Sequence, residues 1–483
     1  MSSPMKRTDA YKLDHRQQYP SGTEMVFSNW TARGSRLPGV NKVVFFGLQA
    51  YLLKTLHAEW KRDFFDMPRD VAVNSYKYRI ENAGINIDYD HVGALHDLGY
   101  LPLEIWALPE GAAVPIGVPM FVMWNTHPEF FWVTNYIETD LSANLWGPCT
   151  SATIAKEYRK IFEYARKITG GPEWFTDYQG HDFSYRGMMG TEAAAMSGAA
   201  HLLSFNGTDT LPAIDFLEKY YHGEAKDIGG SVPATEHSVM CMGTQNNEIE
   251  TYRRLITEVY PKGIVSIVSD TWDYWNVWTN ILPALKDDIM QRNGKVVIRP
   301  DSGDPVDIIC GDYKLYDKTS PAAKGSFQMA WELFGGTKNA LGYKELDPHI
   351  GLIYGDSITL DRARAICQRL VAQGFVPSVV LGIGSYTYQY VTRDTFGFAL
   401  KSTAGIVDGK VREIFKAPKT DVGGVKKSAR GFTAVYKHDR EFVLKDGLDL
   451  DAVRSCEFIR VFKDGEPHAR CNLAHIREEV RSG

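Results

Sequence analysis

Short unbroken apolar runs, each ending in a small or acidic residue and each followed by a helix-sized stretch, mark the middle of the chain: GIVSIVSD (263–270), KVVIRPD (295–301), GLIYGDS (351–357) and SVVLGIGS (378–385). Val/Ile/Leu runs of this length, separated by helical segments, predict parallel strands buried on both faces. The region from about 180 to 394 therefore reads as a β/α barrel or a doubly wound sheet. LDRARAICQRLVAQG (360–374) is an intervening helix closed by Gly374. Upstream, apolar residues at three and four spacing predict two long helices over 130–146 and 151–167, with Ser151 capping the second. Nearer the start, MVFSNWTAR (25–33) is strand-like and FFGLQAYLLKTLHAEW (45–60) helix-like. After 395 the period shifts to two, and Asp408-Gly409 and Asp464-Gly465 are turn signals between alternating runs. The expected organisation is an accessory α+β domain built from 1–145 and 395–483, around an inserted α/β domain at 146–394.

Composition narrows the function. With 483 residues, 44% hydrophobic and 23% charged, the chain is an ordinary globular protein of two or three domains' length. A net charge of -5 gives no reason to expect a nucleic-acid partner. No run of about 18 apolar residues exists and the N-terminus lacks a signal-peptide core, so a cytoplasmic protein without a membrane partner is expected. The six cysteines are scattered without a CxxC and read as reduced thiols. The 13 histidines form no HExxH, and neither GxxxxGK[ST] nor a helix-opening GxGxxG is present, which disfavours a zinc hydrolase, a P-loop ATPase and a simple dinucleotide dehydrogenase.

Ligands of parallel α/β folds bind beyond the carboxyl ends of the strands. Here those ends carry Asp270, Arg299 with Asp301, Gly355 with Asp356, and Gly384 with Ser385. Any one Asp taken singly is more often a cap or turn residue. Four such ends in succession point to a site. Gly-Asp-Ser and Gly-Ile-Gly-Ser can present backbone N–H groups to phosphate, and adjacent acids suit ribose hydroxyls or Mg²⁺. Phe183, Arg186 and Asp209 flank a small-residue helix over 193–203, and His237 lies in a loop or at a helix start.

The segments DAYKLDHRQQYP, FSYRG with NGTD, SVPATEHS, VSIVSD, IRPDSGDP, YGDS and TRD followed by Lys401 occur in the order found in the nicotinamide phosphoribosyltransferase family, which the chain resembles from near residue 9 to about 431. The resemblance implies transfer of the phosphoribosyl group of 5-phosphoribosyl 1-pyrophosphate to nicotinamide, with Mg²⁺, in NAD salvage. It implies an irregular β/α barrel of the type II kind with an accessory domain, and a homodimer with shared sites. By the same resemblance, Phe183 and the partner's Tyr11 sandwich the pyridine ring. Asp209 accepts from the carboxamide, Arg299 and Ser266 line the base pocket, and Arg186 lies near base and pyrophosphate. Asp301 and Asp356 lie near the ribose, while Gly355, Gly384 and Ser385 face phosphate and sugar. Arg33, Arg393, Lys401 and Lys426 reach phosphates. His237 is phosphorylated in an accessory ATP hydrolysis, with Asp270 or Glu236 beside it. Departures are Ser385 in place of a second glycine, Ala399 where the family often has serine, and a one-residue shift around Lys426.

The implied chemistry is displacement at ribose C1 with oxocarbenium character, which needs cations at the leaving pyrophosphate and carboxylates near C1, but no strong base. A carboxylate at 209 welcomes an amide NH₂ and repels nicotinate. Two rivals stay open: a nicotinate phosphoribosyltransferase and a catalytically silent binding protein of the same fold.

Overall fold

The computed structural model describes residues 3–415, 429–468 and 470–482. The chain divides into two compact units, one of Met1–Thr153, Phe216–Gly223 and Val391–Gly483, the other of Ile154–Asp215 and Glu224–Tyr390.

The first unit is built on a seven-stranded antiparallel sheet in the order Lys410–Glu413, Ala399–Val407, Thr23–Thr31, Pro119–Asn125, Leu103–Ala107, Ile459–Lys463, Glu466–Pro467. Its core is aromatic. Trp30 lies between Phe398 and Phe121, with ring centroids 5.4 and 6.0 Å away and nearly parallel planes. The two Asp-Gly signals turn hairpins as expected, Asp408-Gly409 and Asp464-Gly465 both having positive φ at each residue. A third hairpin, Phe432–His438 with Glu441–Leu448, turns on Asp439 and Arg440, also at positive φ although neither is glycine.

Phe216–Gly223 joins this unit because Tyr221 is buried there. Its hydroxyl donates to Glu110 at 2.9 Å and its ring packs 4.9 Å from Phe46. Glu110 also accepts the backbone N–H groups of Gly47 and Gln49, at 2.8 and 2.5 Å.

The two predicted long helices are not separate: one helix runs from Glu138 to Thr169 with Pro148 inside it, and Ser151 is a buried mid-helix residue rather than a cap. Proline removes a single N–H and is tolerated where packing supports the turn. Pro148 seats against Gly47, where a Cβ would lie 3.0 Å from the ring, and the Thr150 hydroxyl donates to the Trp146 carbonyl at 2.7 Å.

The second unit holds the parallel sheet. Its strands run in the order Gly207–Thr208, Gly180–Asp182, Val379–Ile383, Ile350–Tyr354, Val296–Arg299, Val265–Val268. The last four are the runs anticipated from their hydrophobicity. The sheet's two edges are joined through the segment 230–235: Gly230 bridges Gly207, and Ala234 bridges Ser266, both in parallel sense. The ring so closed is an irregular β/α barrel. The helix Leu360–Ala372 follows Ile350–Tyr354, capped by the Thr359 hydroxyl and ended where Gly374 takes φ 77°.

Candidate active site

Most candidates of the second unit sit at or just beyond the carboxyl ends of its parallel strands; Ser266 is the exception, the second residue of the strand Val265–Val268. Phe183 follows the strand Gly180–Asp182, and its N–H donates to the Ile383 carbonyl at 3.0 Å, extending the ladder by one residue. Residues two apart on a strand share a face, so His181 and Phe183 point the same way, with ring centroids 4.6 Å apart. Gly382 makes room for Phe183, since a Cβ there would lie 2.5 Å from the ring.

Asp209 follows the next strand. His181 Nε2 lies 2.9 Å from Asp209 Oδ1, and the Ser231 hydroxyl donates to the same oxygen at 2.5 Å. Partial burial works to raise the Asp209 pKa, but the hydrogen bonds from His181 and Ser231 and the charge of Arg299 outweigh it and hold the carboxyl below its ordinary value. Across the mouth, Arg299 donates to the Thr235 carbonyl at 2.7 Å, which orients the guanidinium. Its Nε is buried and has no hydrogen-bond partner among the described residues, and the same is true of Ser266 Oγ and Asp270 Oδ1. Buried polar atoms left unpaired cost about 1–3 kcal/mol each. Three of them around one mouth are donors and acceptors that a polar ligand would satisfy.

Asp270 is anchored through its other oxygen. Oδ2 accepts from the N–H groups of Asp301 and Ser302 and from the Ser302 hydroxyl, at 2.9, 2.7 and 2.6 Å. Asp301 is pushed above its ordinary pKa chiefly by burial; Arg299 opposes this, and Asp270 and Asp356 add to it. His237 opens the short helix His237–Met242. Its Nε2 lies 3.8 Å from Asp270 Oδ1 and 3.9 Å from Asp301 Oδ2, and its Nδ1 is 3.2 Å from the Thr271 hydroxyl. Glu236 is engaged by the Ser238 hydroxyl instead. On the next strand end, a Cβ at Gly355 would lie 2.1 Å from Asp301 Oδ1, so only glycine admits that carboxylate. Asp356 is exposed, and Gly384 precedes the turn of helix Ser385–Tyr388. The Ser385 hydroxyl lies against Gly187, beside the exposed Arg186.

The remaining candidates lie in the first unit. Tyr11 is exposed, next to Lys12, which is buried and paired with Glu138 at 2.5 Å. Arg33 follows the strand Thr23–Thr31 and donates through Nε to the Gly397 carbonyl at 2.8 Å, and Arg393 precedes the paired strand Ala399–Val407. Lys401 is exposed on the second of these strands. Lys426 lies outside the described residues.

Residues that reasoning from the sequence did not single out include His181, Ser231, Thr235 and Gly382. His181 was signalled only by its i, i+2 spacing to Phe183, which carries meaning once a strand is recognised there.

Comparison with known proteins shows where this site belongs. The profile described as the nicotinate phosphoribosyltransferase (NAPRTase) family matches residues 178–451, and the nicotinamide phosphoribosyltransferase N-terminal domain matches residues 4–105. A nicotinamide phosphoribosyltransferase of Acinetobacter baylyi is 52% identical over 494 residues, covering 99% of this chain and 97% of that protein. The chain belongs to the nicotinamide phosphoribosyltransferase family. Another relative of that name, from Xanthomonas campestris pv. campestris, is 36% identical across 88% of this chain and 85% of its own. Among solved structures, nicotinate-nucleotide pyrophosphorylase from Pyrococcus furiosus aligns with TM-score 0.58 at 14% identity, covering 99% of this chain and 95% of that one. Human nicotinic acid phosphoribosyltransferase aligns with TM-score 0.54 at 14% identity, covering 98% and 93%. At such identities these two speak to the fold alone, which this chain shares with them.

Proposed function

We propose that this protein transfers the phosphoribosyl group of 5-phosphoribosyl 1-pyrophosphate to nicotinamide, releasing pyrophosphate and forming nicotinamide mononucleotide for NAD salvage. The observation that carries the choice of base is the pair Asp209 and Arg299 at one mouth, with Asp209 kept ionised by its partners. A carboxamide offers an NH₂ donor and a C=O acceptor, which match a carboxylate and a guanidinium; the nicotinate carboxylate meets repulsion at Asp209.

In the reaction the pyridine nitrogen forms a bond to ribose C1 as the C1–O bond to pyrophosphate breaks, and that bond's electron pair leaves with pyrophosphate. No proton moves, which fits a mouth rich in carboxylates and cations. In this reading Phe183 holds the ring by stacking, and the Asp301 carboxylate stabilises positive charge developing at C1. Among the described residues no three His, Cys, Asp or Glu side chains converge to hold a metal. Mg²⁺ is accordingly proposed to enter as the complex of the pyrophosphate substrate, held by phosphate oxygens.

The family reading adds three further proposals. His237 takes a phosphoryl group from ATP, the neighbouring Asp270 and Thr271 orienting its ring. The working form is a homodimer in which Tyr11, Arg33, Arg393 and Lys401 of one copy, with Lys426, complete the site of the other. The compartment is the cytoplasm, where six free thiols suit a reducing milieu; among the described residues no helix is long and apolar enough to cross a membrane. Mixing a Tyr11→Ala protein with a Phe183→Ala protein tests the shared site. Activity recovered on subunit exchange supports it, and no recovery despite exchange counts against it.

A further inference from the structure

His181 touches two of the side chains on which the proposed base recognition rests, Asp209 and Phe183. It pairs with Gly207 on one side and Gly382 on the other in the parallel sheet. Its ring is wedged there, since a Cβ at Gly207 would lie 2.6 Å from its Nδ1. A carboxylate only accepts, so the 2.9 Å contact to Asp209 Oδ1 requires the proton on Nε2. Ser231 spends its hydroxyl proton on that same oxygen. Among the described residues Asp209 Oδ2 receives no donor, so the carboxylate is half satisfied and half open. The other charged group acting on Asp209 is Arg299, whose cation favours its ionised form. On the strand of His181, Asp182 is buried and accepts the Ser184 N–H and the Thr208 hydroxyl, and the pKa of His201, which interacts with both His181 and Asp182, is pushed down to about 4 chiefly by burial.

We propose that His181 is the positioning residue of amide recognition: its Nε2–H pins Asp209 Oδ1 so that Oδ2 is presented to the carboxamide NH₂, while its ring backs Phe183. Discrimination of nicotinamide from nicotinate then depends on a residue that touches neither substrate's reacting atom. The inference rests on nicotinamide being the base substrate.

Two variants separate the hydrogen bond from the packing. His181→Phe keeps a ring against Phe183 and removes the donor; His181→Gln supplies a donor of similar reach. In His181→Phe the KM for nicotinamide rises about 10-fold, from loss of one charge-assisted hydrogen bond, with a smaller change in kcat. The acid limb of kcat/KM moves to higher pH, because Asp209 loses a partner that favours its ionised form. Preference over nicotinate falls, most of all at low pH. His181→Gln recovers at least half of each effect on a logarithmic scale. An unmoved acid limb in His181→Phe, or equal behaviour of the two variants, overturns the proposal. If His181→Phe does not fold, the acid limb of His181→Gln compared with His181→Asn decides it, the shorter donor behaving as the deletion. Wild-type turnover is measured first: a wild type inactive on nicotinamide refutes the function, whereas an active wild type with indifferent variants refutes only the role of His181.

Discussion

Gly382→Ala isolates the contact that places Phe183. A Cβ at 382 would lie 2.5 Å from Phe183 Cδ2, 2.9 Å from Cε2 and 3.0 Å from the Gly355 carbonyl oxygen. Carbon atoms settle at about 3.5–4.0 Å, so the ring must retreat by roughly 1 Å. The strand backbone cannot move in its place, because Gly382 is paired with His181 and its strand is flanked on both sides. Overpacking of this kind costs about 1–3 kcal/mol, a fall of roughly 2–10 °C in the melting temperature for a unit of this size. A ring withdrawn from the base loses the stacking contribution of about 0.5–1.5 kcal/mol, which appears as an approximately 2- to 10-fold rise in the KM for nicotinamide with kcat little changed. The assay is the steady-state rate of mononucleotide formation against nicotinamide, beside a thermal melt, in wild-type and Phe183→Leu backgrounds. In the Leu background the alanine should have a much smaller effect on KM, the ring being gone. A lowered melting temperature with an unchanged KM would mean that Phe183 moves without the base sensing it, and so that the ring does not hold the base.

Three further outcomes are expected. Asp209→Asn lowers kcat/KM for nicotinamide about 10- to 100-fold, the worth of a hydrogen bond to a charged group, and raises turnover of nicotinate; parallel losses for both bases would contradict the selector role. Glu248 has a buried Oε1 without a partner among the described residues, and burial, with a contribution from Asp273, pushes its pKa from 4.5 to about 7. A carboxyl raised on folding contributes stability below its unfolded pKa and loses it as pH rises through the folded one. The wild-type melting temperature should therefore fall between pH 5 and 8 relative to Glu248→Gln, and parallel melting curves would refute this. Arg440, at φ 67° in a two-residue hairpin turn, should yield a protein more stable by about 0.5–1 kcal/mol when replaced by glycine, with activity unchanged, as read from urea midpoints.

The parts legible in the sequence were those whose physics is local. Four parallel strands showed as apolar runs because they are buried on both faces, and two hairpins showed because Asp-Gly takes positive φ cheaply. The turn at Asp439-Arg440 gave no signal, because neither residue is glycine and the flanking strands, not the turn, impose the geometry. The strand Gly180–Asp182 is too short to carry a period, whereas the strand end at Gly207-Thr208-Asp209 was legible from its small and acidic residues. The closing segment 230–235, which brings Ser231 to Asp209, is defined only by bridges to strands distant in sequence. Pro148 falls between the two predicted helices, and the room that the distant Gly47 leaves for its ring, which lets one helix run through, is not visible in the local pattern. The strand-end acids and Arg299 were legible as a site from topology, while Tyr11, Arg33, Arg393 and Lys401 stood out only through family resemblance, their surroundings being those of ordinary surface residues.

The base that this protein accepts decides its function. Purified protein incubated with 5-phosphoribosyl 1-pyrophosphate and Mg²⁺, with nicotinamide or nicotinate and with or without ATP, is to be analysed for product. The expected product is nicotinamide mononucleotide, from nicotinamide alone and in greater yield with ATP. Product from nicotinate alone, or from neither base, would contradict it.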